Sequence, residues 1–338
     1  MWKWRHGESL LSSEVSITPA INNWVNPKPN SNHSFTGVAW NNSIYVASST
    51  IGIFTSTDGV NWSHDIATGS PLYEVIWAGN QFVAVGYKIH TSSDGLNWVE
   101  QGYSSNALRS IVWSGGLYVA VGDFGKIVTS NDAITWTEQT SNTESYMSDI
   151  TYGLSQFLAV GDGTILISPD GINWAVQPLP GSPSNTSSVL WTGTQFVVIG
   201  YRVSFTSPDG INWTSRGDQG WFSGSTWTGT QLVAVGQGLV KTSPDGINWT
   251  WRTIDTTNPL RDVFWIGSQL IIVADYGTLH SSPDGINWQD ITTWTGHSNA
   301  NVCLKAFTGD PPPAVKWSQL PDESEYGMDI RVDDSDGQ

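Results

Sequence analysis

The sequence predicts an all-β fold, a seven-bladed β-propeller of four-stranded blades. Three observations carry that reading. A heptapeptide centred on Asp-Gly recurs at near-constant spacing, an apolar motif precedes each copy, and the residues between them parse into four short strands. The heptapeptide Ser-Pro-Asp-Gly-Ile-Asn-Trp occurs at Ser168–Trp174, Ser207–Trp213, Ser243–Trp249 and Ser282–Trp288, with variants at Ser56–Trp62, Ser92–Trp98 and Ser130–Trp136. Its aspartates are Asp58, Asp94, Asp132, Asp170, Asp209, Asp245 and Asp284, spaced by 36, 38, 38, 39, 36 and 39 residues. A period of about 40 residues with four strands per unit is that of a propeller blade. A linear β-solenoid is the alternative, with usually shorter periods.

The elements follow in order along a unit. The preceding motif runs from an aromatic residue through a small-Gly turn into an apolar run ending near Gly, as in Trp77–Gly86 and Trp227–Gly236. Its aromatic position is Trp40, Trp77, Trp113, Tyr152, Trp191, Trp227 and Trp265. In the second unit strand A is expected at Tyr73–Trp77, B at Phe82–Val85, C at Ile89–Ser92 and D at Asn97–Gln101. Strand B is apolar at successive residues, which predicts burial on both faces. In the box, Pro presets one turn dihedral and Gly supplies the left-handed one. The Asp carboxylate is placed to accept the turn's own amides. The box Trp is expected on strand D, wedged between blades. Seven box Trp and six at the aromatic position account for 13 of the 20 Trp, which assigns most of them to core.

The box resembles the Asp-box of bacterial neuraminidase repeats. The full unit, Trp-x-Gly, Val-Ala-Val-Gly and Ser-x-Asp-Gly-x-x-Trp, is similar to propellers of the photosystem II assembly and stability factor type, and to bacterial secreted repeat proteins. The resemblance covers about residues 34–294. It departs in spacing, since the usual Asp-box has one more residue between Ser and Trp. It implies a propeller with Asp-box turns in a sialidase-like superfamily, and little about function, because such folds host many.

Outside the repeats, residues 1–33 form an N-terminal segment, 34–308 the propeller, and 309–338 a Pro-rich linker and acidic tail. Asn22-Asn23-Trp24 lies in register with the boxes, so Ser16–Trp24 is a candidate strand to complete the last blade or cap the ring edge. Ile291–Phe307 competes for that role. The tail carries eight acids and two bases and is read alternatively as the join to a missing domain.

Composition narrows the function. The formal charge of −16 argues against nucleic acid or an anionic membrane as a general partner. No apolar run approaches the roughly 20 residues of a membrane helix. One Cys, Cys303, excludes an intramolecular disulfide and a Cys-based zinc site. The six His show no zinc spacing, no calcium loop or phosphate loop appears, and no cofactor is expected. The N-terminal residues have no signal-peptide h-region, while the Asn-, Ser-, Thr- and Trp-rich, Lys-poor composition leans towards an extracellular or cell-surface setting.

Two faces are distinguished. A–B turns and boxes share one, which reads as structure. B–C and D–A loops share the other, which varies and is where function is expected. Its B–C loops offer Tyr87, Lys88, Asp123, Phe124, Asp162, Tyr201, Arg202, Asp275 and Tyr276. At the start of strand A, one ring position reads Thr36, Tyr73, Arg109, Ser148, Ser187, Ser223 and Arg261. The next reads Gly37, Glu74, Ser110, Asp149, Ser188, Gly224 and Asp262. The plain reading is solvated charge around a channel. The sharper one is a polar pocket with aromatic rims. Sialidase chemistry would need three Arg, of which two are present, and the Arg-Ile-Pro motif of that family is absent. Another glycoside hydrolase would need two carboxylates at a set separation, for which Glu74, Asp149 and Asp262 are candidates. By resemblance, an assembly factor for a membrane complex would need a basic patch, for which Lys88, Arg109, Arg202 and Arg261 are available. The leading expectation is a non-enzymatic, monomeric binding or scaffold propeller within a larger chain. Its ligand, a glycan or a protein, would bind on the B–C/D–A loop face.

Overall fold

The computed structural model describes residues 35–57, 63–103, 105–181, 183, 185–265, 270–274 and 279–290. These form seven four-stranded antiparallel sheets, each a meander of consecutive strands. The first blade is β1 (Phe35–Trp40), β2 (Tyr45–Ser49), β3 (Gly52–Ser56) and β4 (Ser63–Ala67). The second is β5 (Leu72–Ala78), β6 (Gln81–Gly86), β7 (Lys88–Ser92) and β8 (Val99–Tyr103). The third is β9 (Leu108–Trp113), β10 (Tyr118–Gly122), β11 (Ile127–Ser130) and β12 (Thr137–Gln139), and the fourth β13 (Asp149–Gly153), β14 (Gln156–Gly161), β15 (Thr164–Ser168) and β16 (Ala175–Gln177). The fifth is β17 (Thr186–Trp191), β18 (Phe196–Gly200), β19 (Val203–Ser207) and β20 (Thr214–Ser215). The sixth is β21 (Phe222–Trp227), β22 (Leu232–Gly236), β23 (Val240–Ser243) and β24 (Thr250–Arg252). The seventh is β25 (Leu260–Trp265), β26 (Leu270–Ala274), β27 (Leu279–Ser282) and β28 (Gln289–Asp290). The protein is a seven-bladed propeller, as the repeat predicts.

The seventh blade takes its outer strand from Gln289–Asp290, directly after its own box. The segments expected to compete for that place, 16–24 and 291–307, lie outside the described residues. So do the tail from 309 and Asp58 and Trp62 of the first box.

Strand β6 is buried on both faces, with Phe82, Val83, Ala84 and Val85 fully enclosed. Its two sets of side chains enter two different cores. Val83 and Val85 pack with Leu108, Ile111 and Tyr118 of the third blade, while Phe82 and Ala84 pack with Val46 and Ile53 of the first. The core is therefore divided among blade junctions. Each fully buried Val or Phe there contributes about 1.5–3 kcal/mol.

Aromatic triplets repeat at these junctions. Trp77 lies 4.6 Å from Phe82, which lies 6.1 Å from the box residue Trp98; Trp113, Tyr118 and Trp136 repeat the arrangement at 4.1 and 6.3 Å. One correction to the sequence reading concerns the box Trp. It precedes strand D rather than lying on it, since β8 begins at Val99. The turn itself holds the ring, because Trp98 Nε1 donates to the Gly95 carbonyl at 2.8 Å.

The box forms the hydrogen bonds its composition predicts. Asp94 Oδ1 accepts the amides of Leu96 and Asn97, each at 2.8 Å, and Oδ2 accepts the Asn97 side chain at 2.7 Å. The Gly slot is left-handed, with φ 67–79° in the described boxes, and Ala133 takes the same conformation at φ 59°. Gly171 also has no room for a side chain: a Cβ there would fall 2.7 Å from Leu117 Cδ2 of the preceding blade. These amides hold the box carboxylates well below the ordinary range. In Asp284 the Asn287 amide leads, giving about 2. In Asp245 burial opposes, and the amides of Asn248 and Ile247 outweigh it, again to about 2.

The centre of strand C is occupied in turn by Phe54, His90, Val128, Leu166, Phe205, Lys241 and His280. His90 is buried, and its Nδ1 meets no hydrogen-bond partner. Burial holds its pKa below the usual value, with Glu100 opposing and Lys88 assisting. A depressed folded pKa means the neutral ring's contribution is complete above about pH 6.5 and is lost as pH falls below it. Substituting the residue of the fourth blade, His90→Leu, is expected to raise stability by about 1 kcal/mol at pH 7 and by more at pH 5. Urea unfolding at the two pH values checks this, and an unchanged pH difference would contradict it.

Candidate functional site

The loop face is organised by the starts of the first strands. At the first ring position, four hydroxyls reach across a junction. Thr36 Oγ1 donates to the Leu72 carbonyl at 2.7 Å, Ser148 Oγ to Thr186 at 3.0 Å, Ser187 Oγ to Phe222 at 2.9 Å and Ser223 Oγ to Leu260 at 2.8 Å. The second ring position does the converse. Glu74 Oε2 accepts the Ile111 amide at 2.7 Å, and Asp149 Oδ2 accepts the Val189 amide at 3.0 Å while its Oδ1 accepts Ser110 Oγ at 3.3 Å. Asp262 Oδ1 accepts the amide of Val263 at 2.7 Å and fills the space a Cβ on Gly224 would need.

Glu74, Asp149 and Asp262 are all buried. They were expected beside a channel as candidate ligand or hydrolase carboxylates. The structure keeps them at the starts of the first strands but buries them, and there Glu74 and Asp149 tie one blade to the next. The reason is a β-bulge: the ladder register skips Tyr73 and Arg261, and Glu74 and Asp262 after them rejoin it opposite Val85 and Val273, while Asp149 opens β13 opposite Val160.

The hydroxyl pattern is replaced between the second and third blades. There the ring position holds Tyr73 and Arg109, and the Arg109 guanidinium stacks 4.1 Å from the Tyr73 ring centroid. Arg109 Nε and Nη2 also donate to both oxygens of Asp123, at 2.7 and 3.0 Å. Asp123 holds the guanidinium above its ordinary pKa. Burial raises the Tyr73 phenol, against the pull of Arg109. Tyr87 extends the cluster, 6.4 Å from Tyr73.

The residue after Asp123 is the exposed Phe124. It adopts the left-handed conformation, φ 56° and ψ 38°, in a 3-10 turn. That geometry costs a non-glycine residue about 1–2 kcal/mol. The turn is fixed by the Gly125 amide on Ser145 at 2.8 Å and the Met147 amide on Gly122 at 3.0 Å. Phe124 packs 5.1 Å from Tyr146, also exposed, whose amide reaches Asp162 Oδ2 at 3.3 Å. One surface thus unites Tyr73, Tyr87, Arg109, Asp123, Phe124, Tyr146 and Asp162.

A second patch spans the fifth and sixth blades. Tyr201 and Trp221 form an isolated β-bridge and meet edge to face at 4.9 Å, both exposed. Arg202, left-handed at φ 56°, donates to Asp218 at 2.7 Å. Arg261 is exposed at the start of β25, in the same register as Arg109. Asp275 and Tyr276 lie outside the described residues. Sequence reasoning missed Tyr146, Asp218 and Trp221. All three stand in D–A connections, which the repeat does not align.

Among the described residues no group of three His, Cys, Asp or Glu is placed to hold a metal ion, and no helix is long and apolar enough to cross a membrane. No family model and no curated protein matches the chain. Solved structures do. The chain is similar to YCF48 bound to D1 peptide, at 16% identity and TM-score 0.60 over 75% of this chain and 92% of that one. A computationally designed protein, Ika8, matches at 14% identity and TM-score 0.65, over 84% and 93% of the two chains. A catalytically inactive virginiamycin B lyase from Staphylococcus aureus with quinupristin matches at 11% identity and TM-score 0.64, over 74% and 94%. At these identities the likeness is one of fold.

Asp149 provides a check on its placement. Asp149→Ala strips a buried amide of its acceptor and is expected to cost about 1–3 kcal/mol in urea unfolding. A variant as stable as the parent would show that the carboxylate does not hold the junction.

Proposed function

We propose that this chain is a non-enzymatic binding propeller of the cell exterior whose loop face takes a segment of another protein at Phe124 and Tyr146. The observation that supports this best is Phe124. An exposed aromatic ring is held in a costly backbone conformation, braced by three neighbouring segments, where the sixth blade uses Gly238 in its own loop. Strain kept at an exposed ring favours a binding role, because nothing in the fold needs that ring. The Arg109–Asp123 pair beneath fixes the turn and borders it with hydrogen-bonding groups. A structural relative was solved with a peptide, which agrees with this reading.

A glycan is the second reading, and the Tyr201–Trp221 patch favours it, with a partly exposed indole beside a planar ion pair. Hydrolysis is disfavoured by the burial of Glu74, Asp149 and Asp262. Assembly-factor docking through a basic patch is disfavoured because Lys88, Arg109 and Arg202 are ion-paired.

The test is selection of a displayed random peptide library on the full chain, with a glycan array beside it. Recovered peptides are expected to bind about tenfold or more weakly to Phe124→Ala/Tyr146→Ala, a loss typical of two aromatic anchors. Array binding lost in Tyr201→Ala/Trp221→Ala, with no peptide recovered, would replace the first reading by the second.

A further inference from the structure

The box face holds a feature its hydrogen bonds do not require. The residue two after each box Asp is aliphatic in all seven repeats: Val60, Leu96, Ile134, Ile172, Ile211, Ile247 and Ile286. In the six described boxes it is 39–56% exposed. The turn uses only its backbone amide, which donates to the Asp carboxylate at 2.8–2.9 Å. The third box has lost both Gly and Asn, to Ala133 and Thr135, and still keeps Ile134. A lone exposed Ile is ordinary; six exposed aliphatic tips on one face, one of them kept where its box has lost Gly and Asn, are not.

These tips share one face. Gln81, Gln156, Gln195 and Gln231, at A–B turns, donate to the carbonyls of Asp132, Asp209, Asp245 and Asp284 in the following blade. Leu117 and Ile44 fill the space a Cβ would need at Gly171 and Gly95, at two other junctions. Leu154, also exposed, adds an apolar tip in the fourth A–B turn.

Charge on this face is one-sided. Each tip stands beside a box carboxylate. The Lys and Arg among the described residues are Lys88, Arg109, Lys126, Arg202, Arg216, Lys241, Arg252 and Arg261. All lie on strands, next to strand ends or in B–C loops; the described A–B turns and boxes contain none. A second copy of the chain or an anionic membrane would bring negative charge against these carboxylates. A sugar would find no flat aromatic ring at the six described tips, and the exposed Trp40 at the end of β1 is already stacked on Tyr45.

We infer that the box face is a docking surface for a cationic, amphipathic segment of another protein, with lysine or arginine meeting the box carboxylates and apolar side chains meeting the aliphatic tips. This surface is separate from the loop face and does not depend on the reading given for it.

The test is calorimetric titration of the full chain with three synthetic peptides of equal length: Lys/Leu amphipathic, Lys/Ser of equal charge, and Glu/Leu. The Lys/Leu peptide is expected to bind about tenfold more tightly than Lys/Ser, and Glu/Leu not at all. Ile172→Thr/Ile211→Thr/Ile247→Thr is expected to weaken Lys/Leu binding about tenfold without moving the thermal midpoint, since Thr keeps the amide and the β-branch. If the triple variant unfolds early, Ile172→Thr and Ile211→Thr singly carry the comparison. Phe124→Ala/Tyr146→Ala is expected to bind as the parent does. Equal affinity for Lys/Leu and Lys/Ser would overturn the inference, as would an unaffected Ile variant. Loss of binding in the Phe124 variant would move the site to the loop face. Self-association lost in the Ile variant would assign the box face to a second copy and equally overturn it.

Discussion

The second strand of each blade has no solvent-facing side, and the rest of the molecule follows from that. Val83 and Val85 face one neighbouring blade while Phe82 and Ala84 face the other. A single blade would leave both of those sets in water, so no blade is a stable unit by itself. Fold stability therefore resides in junctions. The polar links are placed there too: hydroxyl to carbonyl and carboxylate to amide on the loop side, Gln amide to box carbonyl on the other. All but the exposed Gln81 link are buried or partly buried, satisfying groups the packing would otherwise leave without water.

The candidate site arises at a junction that departs from this scheme. Between the second and third blades the hydroxyl link is absent and Tyr73 stacks on Arg109 instead. A cation over an aromatic face is worth about 0.5–2 kcal/mol depending on exposure, enough to replace one modest hydrogen bond. Unlike the hydroxyl it replaces, Arg109 also reaches out of the ring to Asp123 and so couples the junction to the turn that displays Phe124. Fold and site are one continuous structure at this junction.

The architecture was legible because repetition turns a weak strand signal into seven concordant ones. The box hydrogen bonds, the double burial of strand B and the junctional Trp all follow from residue type and position. The site was only partly legible, for two physical reasons. A β-bulge breaks the strand's alternation at Tyr73 and Arg261, so Glu74 and Asp262 look like their neighbours yet rejoin the ladder and are buried, as Asp149 is after Ser148. The D–A connections differ in length between units, so Tyr146 and Trp221 have no counterparts to mark them as exceptions. The sequence signal that does locate the site is a break in the repeat at the adjacent units holding Tyr73 and Arg109, where four of the other five units hold Ser or Thr and the seventh holds Arg261.

Repetition also hides things, and the box is the example. Seven copies of one heptapeptide invite a purely structural reading, and Ser, Asp, Gly and Trp each have an internal partner that supports it. The aliphatic residue between Gly and Trp has none for its side chain, yet it stays aliphatic, as Val, Leu or Ile, in every copy. A sevenfold tandem array fixes every position of its founding unit alike, so constancy alone carries no weight. What carries weight is the third box, where Gly and Asn have given way while Ile134 stands exposed and the Trp remains. Exposure separates the two survivors: Trp136 packs into the junction, and Ile134 faces solvent beside a carboxylate with no cation in the same turn. The two faces thus differ in kind. One is a set of unlike loops in which basic side chains are paired with acids, suited to a ligand read at one place. The other repeats a single anionic and apolar element blade after blade, suited to a partner that meets many weak contacts at once.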